Sequence, residues 1–131
     1  PGALSHIRVL DLSRVLAGPW CTQNLADLGA EVIKVENPHD GGDTGRQVGP
    51  FFFGPNDSEF FETFNRNKKS ICLDLKQPEG QAVFRDLVKT ADAVLDNLRG
   101  DQPAKLGIFI VLASRRMRRT FRSRRICAPM P

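Results

Sequence analysis

The sequence lacks the features that are typical of membrane, secreted and metal-binding proteins. No apolar run approaches the roughly 20 residues that a helix needs to cross a membrane. The first residues contain no basic segment followed by an apolar one, so we expect no signal peptide and a cytoplasmic location. The three cysteines, Cys21, Cys72 and Cys127, are odd in number and far apart, without a C-x-x-C pair. We therefore expect reduced thiols, no disulfide framework and no metal site.

The usual phosphate-binding fingerprints are also absent. The chain contains no G-x-G-x-x-G, which opens a dinucleotide-binding unit, and no G-x-x-x-x-G-K-[ST], which cradles nucleotide phosphates. A ligand that carries phosphates therefore needs a different kind of turn in this chain.

Acidic residues are missing from one part of the chain. Residues 108–131 contain seven of the 19 basic residues, all of them arginine, and no aspartate or glutamate. The remaining 12 basic residues stand against 15 acidic ones in residues 1–107, a net charge of −3. The charge of +4 for the whole chain thus combines a slightly acidic body with a strongly basic tail.

With 131 residues the chain has room for one domain, and residues 6–36 indicate how it is organised. An apolar run predicts a buried strand, after which Gly18 and Pro19 suit a turn and the start of a helix. The helix ends before a second predicted strand at 31–36. Such a unit places a helix N-terminus at the carboxyl end of a strand, where α/β proteins bind phosphate-bearing ligands. The turn by itself fits a plain packing role equally well.

The rest of the body continues this alternation of strands and helices. Residues 37–58 are rich in glycine, proline and aspartate, which predicts a long connection with little regular structure. Within it we expect Phe51–Phe53 to be anchored on an apolar surface; the alternative is one wall of an adenine or acyl pocket. The elements predicted next are a helix at 59–64 capped by Ser58, a strand at 71–75, a helix from 76 with a core stripe of Val83, Phe84, Leu87 and Val88, and a strand at 92–98. This order predicts an α/β fold with a partial Rossmann-like, mostly parallel sheet and flanking helices.

A polar basic turn is predicted at residues 65–70, before the third strand. Its cations are Arg66, Lys68 and Lys69. They fit a solvated turn, or they attract a phosphate to the mouth of the sheet.

Several separated motifs in the body, taken in order, resemble the amino-terminal part of the family III CoA-transferases. This family includes formyl-CoA transferases, CaiB/BaiF-type carnitine CoA-transferases and the related α-methylacyl-CoA racemases. The motifs that carry the resemblance lie at residues 9–19, 28–36, 42–46, 65–70, 73–80, 96–98 and 105–107. The resemblance makes residues 1–107 the N-terminal part of the family's large domain, and it does not separate transferase from racemase.

The resemblance implies a site for CoA, which is a substrate in this family. The residues at the matching positions are Val15, Leu16, Ala17, Asn37, Leu73, Asp74, Leu75, Lys76, Asn97, Leu98, Lys105 and Leu106. Lys105 matches a basic phosphate clamp of the family. Leu16 stands where transferases often have glutamine, and Asn37 stands where a basic contact is common. We therefore expect any CoA binding by this chain to be weak.

The resemblance implies no catalytic residue within this chain. The family's nucleophile is an aspartate that forms acyl-anhydride and CoA-thioester intermediates, and it lies beyond the matched region. Asp11, Asp43, Asp74 and Asp96 match other positions. The family's chains are much longer and interlock as homodimers, with acyl-CoA and carboxylic acids as substrates. We therefore expect this chain to be inactive alone and to expose apolar surface.

The tail from about Ile108 does not continue the family's pattern. It has seven arginines and no acid, and after Ala113 it has no helical or strand periodicity. We interpret residues 108–131 as an aberrant end, such as a shifted reading frame. The alternative is a genuine tail, in a non-enzymatic module that binds CoA or nucleic acid. Specific nucleic-acid recognition is not expected, since Phe121 is the tail's one aromatic residue after Ala113 and no reading motif is present.

Overall fold

The computed structural model describes residues 2–108 and the backbone of residues 121–122. The strands are β1 (Arg8–Asp11), β2 (Glu31–Glu36), β3 (Phe52–Gly54), β4 (Asp57–Ser58), β5 (Lys68–Cys72), β6 (Ala93–Asp96) and β7 (Phe121–Arg122). The helices are α1 (Ala17–Asp27), α2 (Glu59–Asn65), α3 (Pro78–Lys89) and α4 (Gln102–Lys105). No helix in this part of the chain is both long and apolar enough to span a membrane.

The main sheet has five strands in the order β5-β2-β1-β6-β7, and every neighbouring pair is parallel. Leu10 is the centre of the register, opposite Ile33 on β2 and Val94 on β6. This arrangement confirms the predicted α/β fold with a mostly parallel sheet. The carboxyl ends of β1, β2 and β6 therefore meet at one edge of the sheet.

Successive residues of β1 pack on opposite faces of the sheet, because side chains alternate along a strand. Val9 joins a cluster with Ala26 of α1 and with Val32, whereas Leu10 joins a cluster with Phe84 of α3. Helices α1 and α3 therefore cover opposite faces of the sheet, as the predicted flanking helices require.

The helix boundaries follow local signals in the sequence. The Ser58 hydroxyl accepts the Phe61 N–H at 3.1 Å and caps α2, as predicted. Pro78 occupies the first turn of α3, where no N–H is needed. In the predicted stripe of α3, Phe84 and Val88 are buried, whereas Val83 is 44% exposed and lies outside the core. The apolar face of α3 is thus narrower than its sequence predicts.

The long connection at 37–58 has more structure than its composition predicts. It contains two 3-10 turns, Pro38–Asp40 and Thr44–Gln47, and the antiparallel hairpin β3–β4. The expected anchorage of Phe51–Phe53 is wrong, since these side chains are 64%, 53% and 69% exposed. They project from a hairpin that forms a separate two-stranded sheet, so the main sheet does not cover them.

The predicted basic turn at 65–70 is also wrong in part, because β5 starts at Lys68 rather than Ile71. Lys68 pairs with Val32 in the register, and its charged side chain is almost fully buried. The polar residues around Lys68 predict a turn, but the fold buries this lysine and compensates its charge by an ion pair with Asp11.

Only part of the basic tail falls within the described residues. Ile108 is fully buried in the cluster that contains Phe84. The backbone of Phe121–Arg122 pairs with Leu95 and Asp96 of β6. The interpretation of residues 109–120 and 123–131 lies outside the part of the chain that the structure describes.

Candidate functional site

A pocket of about 910 Å³ opens at the edge of the sheet where β1, β2 and β6 end. It is formed by the segments that follow these strands and β5. Its lining consists of Leu12, Arg14, Val15, Leu16, Ala17, Val35, Glu36, Asn37, Asp40, Thr44, Leu73, Asp74, Leu75, Lys76, Asn97, Leu98, Arg99, Asp101, Gln102 and Leu106. This is the position at which open α/β sheets bind their ligands.

Eleven of the twelve residues singled out in the sequence line this one pocket. They are Val15, Leu16, Ala17, Asn37, Leu73, Asp74, Leu75, Lys76, Asn97, Leu98 and Leu106. The structure does not bring Lys105 into the lining. Its ammonium pairs with Asp101 at 2.6 Å, and its side chain is 65% exposed.

The lining combines an apolar wall with cations and carboxylates. The apolar wall is built of leucine and valine side chains, and the cationic residues are Arg14, Lys76 and Arg99. Arg14 and Arg99 were not singled out in the sequence. Each stands three residues after the last residue of a strand, β1 or β6, and this position could have indicated that they lie at the carboxyl edge of the sheet. The carboxylates are Glu36, Asp40, Asp74 and Asp101, so the pocket combines apolar contact with charges of both signs.

Arg14 is held at the pocket by its backbone. Its N–H donates to Asn97 Oδ1 at 3.0 Å, and its carbonyl accepts from Asn97 Nδ2 at 2.9 Å. The guanidinium makes a long contact of 3.4 Å with Asp40. Asn97 thereby joins the segment after β6 to the turn after β1, while the Arg14 charge stays accessible.

Asp74 is a constrained carboxylate in the lining of the pocket. It accepts the Lys76 N–H at 2.9 Å and lies 2.8 Å from the His39 ring. The backbone N–H of Lys76, followed by the His39 ring, holds the pKa of Asp74 below its ordinary value of 3.8. Asp74 therefore stays ionised at neutral pH and fixes the loop that carries Lys76.

A buried ion pair, Lys34–Asp43, contacts the backbone of the turn after β1. Lys34 and Asp43 are 1% and 2% exposed, and Lys34 Nζ lies 2.7 Å from Asp43 Oδ2. Lys34 also donates to the Ser13 carbonyl at 2.9 Å, and Asp43 Oδ1 accepts the Val15 N–H at 3.0 Å. Burial raises the pKa of Asp43, but the Lys34 ammonium and the N–H donors outweigh it and hold that pKa below 3.8.

A second buried pair joins β5 to β1. Lys68 Nζ lies 3.1 Å from Asp11 Oδ2 and donates to Pro19 O and Asn65 Oδ1 at 2.8 and 2.9 Å. Asp11 also accepts from the hydroxyls of Ser13 and Thr22. Burial lowers the pKa of Lys68 below 10.5. This network fixes the start of α1 against the sheet.

The other two cations of the expected basic turn are engaged at the surface. Arg66 pairs with Asp27 at 2.7 Å, and Lys69 pairs with Glu31 at 2.7 Å. Neither of these residues lines the pocket at the carboxyl edge.

Each of the four aspartates considered above makes a structural contact. Asp11 and Asp43 are buried in ion pairs, Asp74 holds its own loop, and Asp96 accepts the Leu98 N–H at 3.1 Å. Among the described residues, no three histidine, cysteine, aspartate or glutamate side chains cluster as a metal site would require.

The fold and the pocket together define a Rossmann-like α/β domain with a pocket at the carboxyl edge of its parallel sheet. The chain belongs to CoA-transferase family III, whose family model matches residues 4–117. The match extends ten residues beyond Gly107, the expected end of the family's sequence.

Curated relatives agree with this assignment. The chain is 54% identical over 110 residues to succinate–glutarate CoA-transferase of Agrobacterium fabrum, covering 80% of this chain and 27% of that protein. It is 45% identical over 105 residues to succinyl-CoA:glutarate CoA-transferase of Homo sapiens, covering 80% and 24%. The chain thus spans about a quarter of the length of these relatives and corresponds to their N-terminal part.

Solved structures share the fold. A CaiB/BaiF family protein from Brucella suis superposes with a TM-score of 0.77 at 39% identity, covering 86% of this chain and 30% of that one. A hypothetical protein from Mycobacterium tuberculosis gives a TM-score of 0.71 at 41% identity, covering 82% and 29%.

Proposed function

We propose that this chain forms the CoA-binding portion of an enzyme that transfers CoA between an acyl-CoA and a carboxylic acid. The observation that carries the proposal is the pocket itself. Segments after four different strands converge there, and they bring together eleven of the residues for which the resemblance implies contact with CoA.

The chemistry of the lining fits the chemistry of CoA. CoA joins a phosphorylated adenosine to a long, uncharged pantetheine arm, which alternates polar amides with apolar methylene and methyl groups, so its site needs both positive charge and apolar contact. The pocket supplies Arg14, Lys76 and Arg99 for the phosphates and an apolar wall that includes Leu73 and Leu98. Its volume of about 910 Å³ lies within the range of ligand sites in proteins.

The names of the relatives favour a transferase over a racemase and suggest the class of acid. Succinate or succinyl-CoA occurs in the names of relatives from Agrobacterium fabrum, Homo sapiens and Haloarcula hispanica, paired with glutarate or mesaconate. We therefore propose a short dicarboxylic acid as acceptor and its CoA thioester as donor.

The transfer step itself needs residues beyond those matched here. Asp11, Asp43, Asp74 and Asp96 are engaged in structural contacts, which supports a carboxylate nucleophile in the part of the family fold that this chain does not span. The complete enzyme is proposed to be an interlocked homodimer. We place it in the cytoplasm, where the exposed thiols of Cys21 and Cys72 remain reduced.

Inactivity of the isolated chain has a direct test. Incubation with succinyl-CoA and glutarate is expected to give no glutaryl-CoA and no covalent acyl-enzyme. Trapping of a hydroxylamine-sensitive acyl group on this polypeptide would contradict the proposal that the nucleophile lies elsewhere.

Binding is tested by calorimetric titration of the chain with CoA. Lys76→Ala is expected to weaken binding by about ten-fold or more, because a charged contact to phosphate is worth about 1.5–3 kcal/mol. Lys105→Ala is the matched control, since its ammonium lies on Asp101 outside the lining, and its effect is expected to stay within about two-fold. Equal losses in both variants would instead support the phosphate-clamp role that the resemblance implies for Lys105. No heat of binding to the parent chain would contradict the proposed function.

We further propose that the family's own sequence ends within residues 108–117 and that an aberrant, frame-shifted segment follows. The arginine-rich, acid-free composition supports a shifted frame, and the family match to residue 117 limits where the shift starts. The gene's nucleotide sequence tests this. A second frame that encodes family-like sequence downstream supports the proposal, and the absence of such a frame makes the tail genuine.

A further inference from the structure

Val15 has a backbone conformation that valine rarely adopts. Its φ is +71°, in the left-handed region, where a β-branched side chain meets its own backbone. The side chain is 44% exposed at the pocket, so its own burial does little to hold this conformation. Something else in the fold has to impose the shape of the turn.

The turn is fixed by Asn97, which bonds the backbone of Arg14, and by the buried Lys34–Asp43 pair. Lys34 Nζ donates to the carbonyl of Ser13, which precedes Arg14, at 2.9 Å. Asp43 Oδ1 accepts the N–H of Val15, which follows Arg14, at 3.0 Å. The ion-pair distance of 2.7 Å ties the two contacts into one unit. The pair thus brackets the turn whose outer side lines the pocket.

Asp43 is itself held by the loop that carries it. Its Oδ1 also accepts the Gly45 N–H at 2.8 Å, which caps the 3-10 turn Thr44–Gln47. The Gly45 carbonyl in turn accepts the Ser58 hydroxyl at 2.7 Å, at the start of α2. The position of Asp43 therefore depends on the connection between β2 and α2.

We propose that Lys34 and Asp43 are positioning residues, which hold Val15 in its left-handed conformation and so shape the CoA-facing turn 13–17. The ligand readout of this inference rests on the proposed function, but the strain in Val15 does not. Neither residue touches the pocket through its charged group, so both act through the turn.

The first test needs no ligand. Val15→Gly is expected to raise the thermal midpoint of the chain, because the relief of strain at φ +71° exceeds the conformational entropy that glycine adds to the unfolded chain. An unchanged or lower midpoint would show that the strain in Val15 does not exceed this entropy and would overturn the inference. In Asp43→Ala, hydrogen exchange at the Val15 amide should rise by about ten-fold or more. Unchanged protection there would also overturn it.

The second test uses CoA affinity measured in a double-mutant cycle. Asp43→Ala should weaken CoA binding by about ten-fold in the parent but by less than about three-fold when Val15 is already glycine, because the turn then needs no support. Equal losses of affinity in both backgrounds would overturn the positioning role, because they would mean that Asp43 affects binding independently of the conformation of residue 15. Asp27→Ala, which breaks the surface pair with Arg66, is the control and should leave affinity unchanged.

The two tests separate this inference from the proposed function. If the parent chain does not bind CoA, the proposed function fails, and the midpoint of Val15→Gly and the exchange of the Val15 amide still decide the inference. If Asp43→Ala does not fold, Lys34→Met takes its place: faster exchange of the Val15 amide in that variant supports the inference, and unchanged exchange overturns it.

Discussion

Replacing Lys68 by methionine tests whether buried ion pairs hold the sheet and α1 together. Lys68 has a side chain that is 2% exposed, and its ammonium contacts Asp11, Pro19 O and Asn65. Methionine keeps most of the length of the lysine side chain but has no charge and no donor. The substitution leaves the fully buried Asp11 carboxylate without its counter-charge.

The magnitude follows from the burial of both partners. Removing one member of a buried pair costs about 3–5 kcal/mol, because the remaining charge stays desolvated. A domain of this size has a total stability of about 5–15 kcal/mol, so a large share of it is lost. At about 4–8 °C per kcal/mol, the thermal midpoint should fall by roughly 12–40 °C.

Lys69 provides the matched control, because it is the next residue on the same strand but points to the surface. Its side chain is 71% exposed and pairs with Glu31 at 2.7 Å. Lys69→Met should change stability by less than about 1 kcal/mol, since exposed pairs are screened by water. Thermal and urea unfolding followed by circular dichroism give the midpoints and the unfolding free energies of both variants.

Similar midpoints for Lys68→Met and Lys69→Met would contradict a large contribution of the buried ion pair to stability. Such a result would mean that the Lys68–Asp11 pair contributes no more than a surface pair. A Lys68→Met variant that is more stable than the parent would mean that desolvation of the pair costs more than the pair returns.

Three further predictions follow from other contacts. The pKa of Asp43 lies below 3.8 in the fold, so its contribution to stability is present above that value and is lost as the pH falls below it. Thermal melts at pH 6 and pH 3 should therefore differ less for Asp43→Asn than for the parent, and equal differences would contradict this. A Cβ on Gly80 would lie 2.0 Å from the Asp74 carbonyl oxygen, so Gly80→Ala should lower the unfolding free energy by about 1–3 kcal/mol; an unchanged urea midpoint would be inconsistent with that contact. The exposed Phe51–Phe53 should promote association, so Phe52→Ser should reduce the sedimentation-detected oligomer; a parent chain that stays monomeric at high concentration would argue against it.

Much of the fold could be predicted from the sequence, because strong local patterns decided it. The strand Glu31–Glu36 has the predicted bounds, and Ser58 caps α2 as its residue type indicates. The pocket residues were predicted less directly. Separated motifs at the ends of strands resembled one family, and the parallel sheet brings those strand ends to one edge.

The rest depended on contacts between residues far apart in the chain. Lys68 was predicted to lie in a polar turn, because nothing near it in sequence indicates a buried partner such as Asp11. Phe51–Phe53 was predicted to be anchored, because apolarity does not tell which surface is available to cover it. The left-handed conformation of Val15 contradicts its residue type and depends on Asp43, 28 residues away.

Binding of CoA in the pocket at the carboxyl edge of the sheet can be measured by a CoA titration of the 15N-labelled chain, followed residue by residue by NMR. The amides of Val15–Ala17, Leu73–Lys76 and Asn97–Leu98 should shift together and saturate at one concentration, while Lys69 and the β3–β4 hairpin stay unchanged. Shifts confined to the arginine-rich tail, or no shifts at millimolar CoA, would contradict binding of CoA in this pocket.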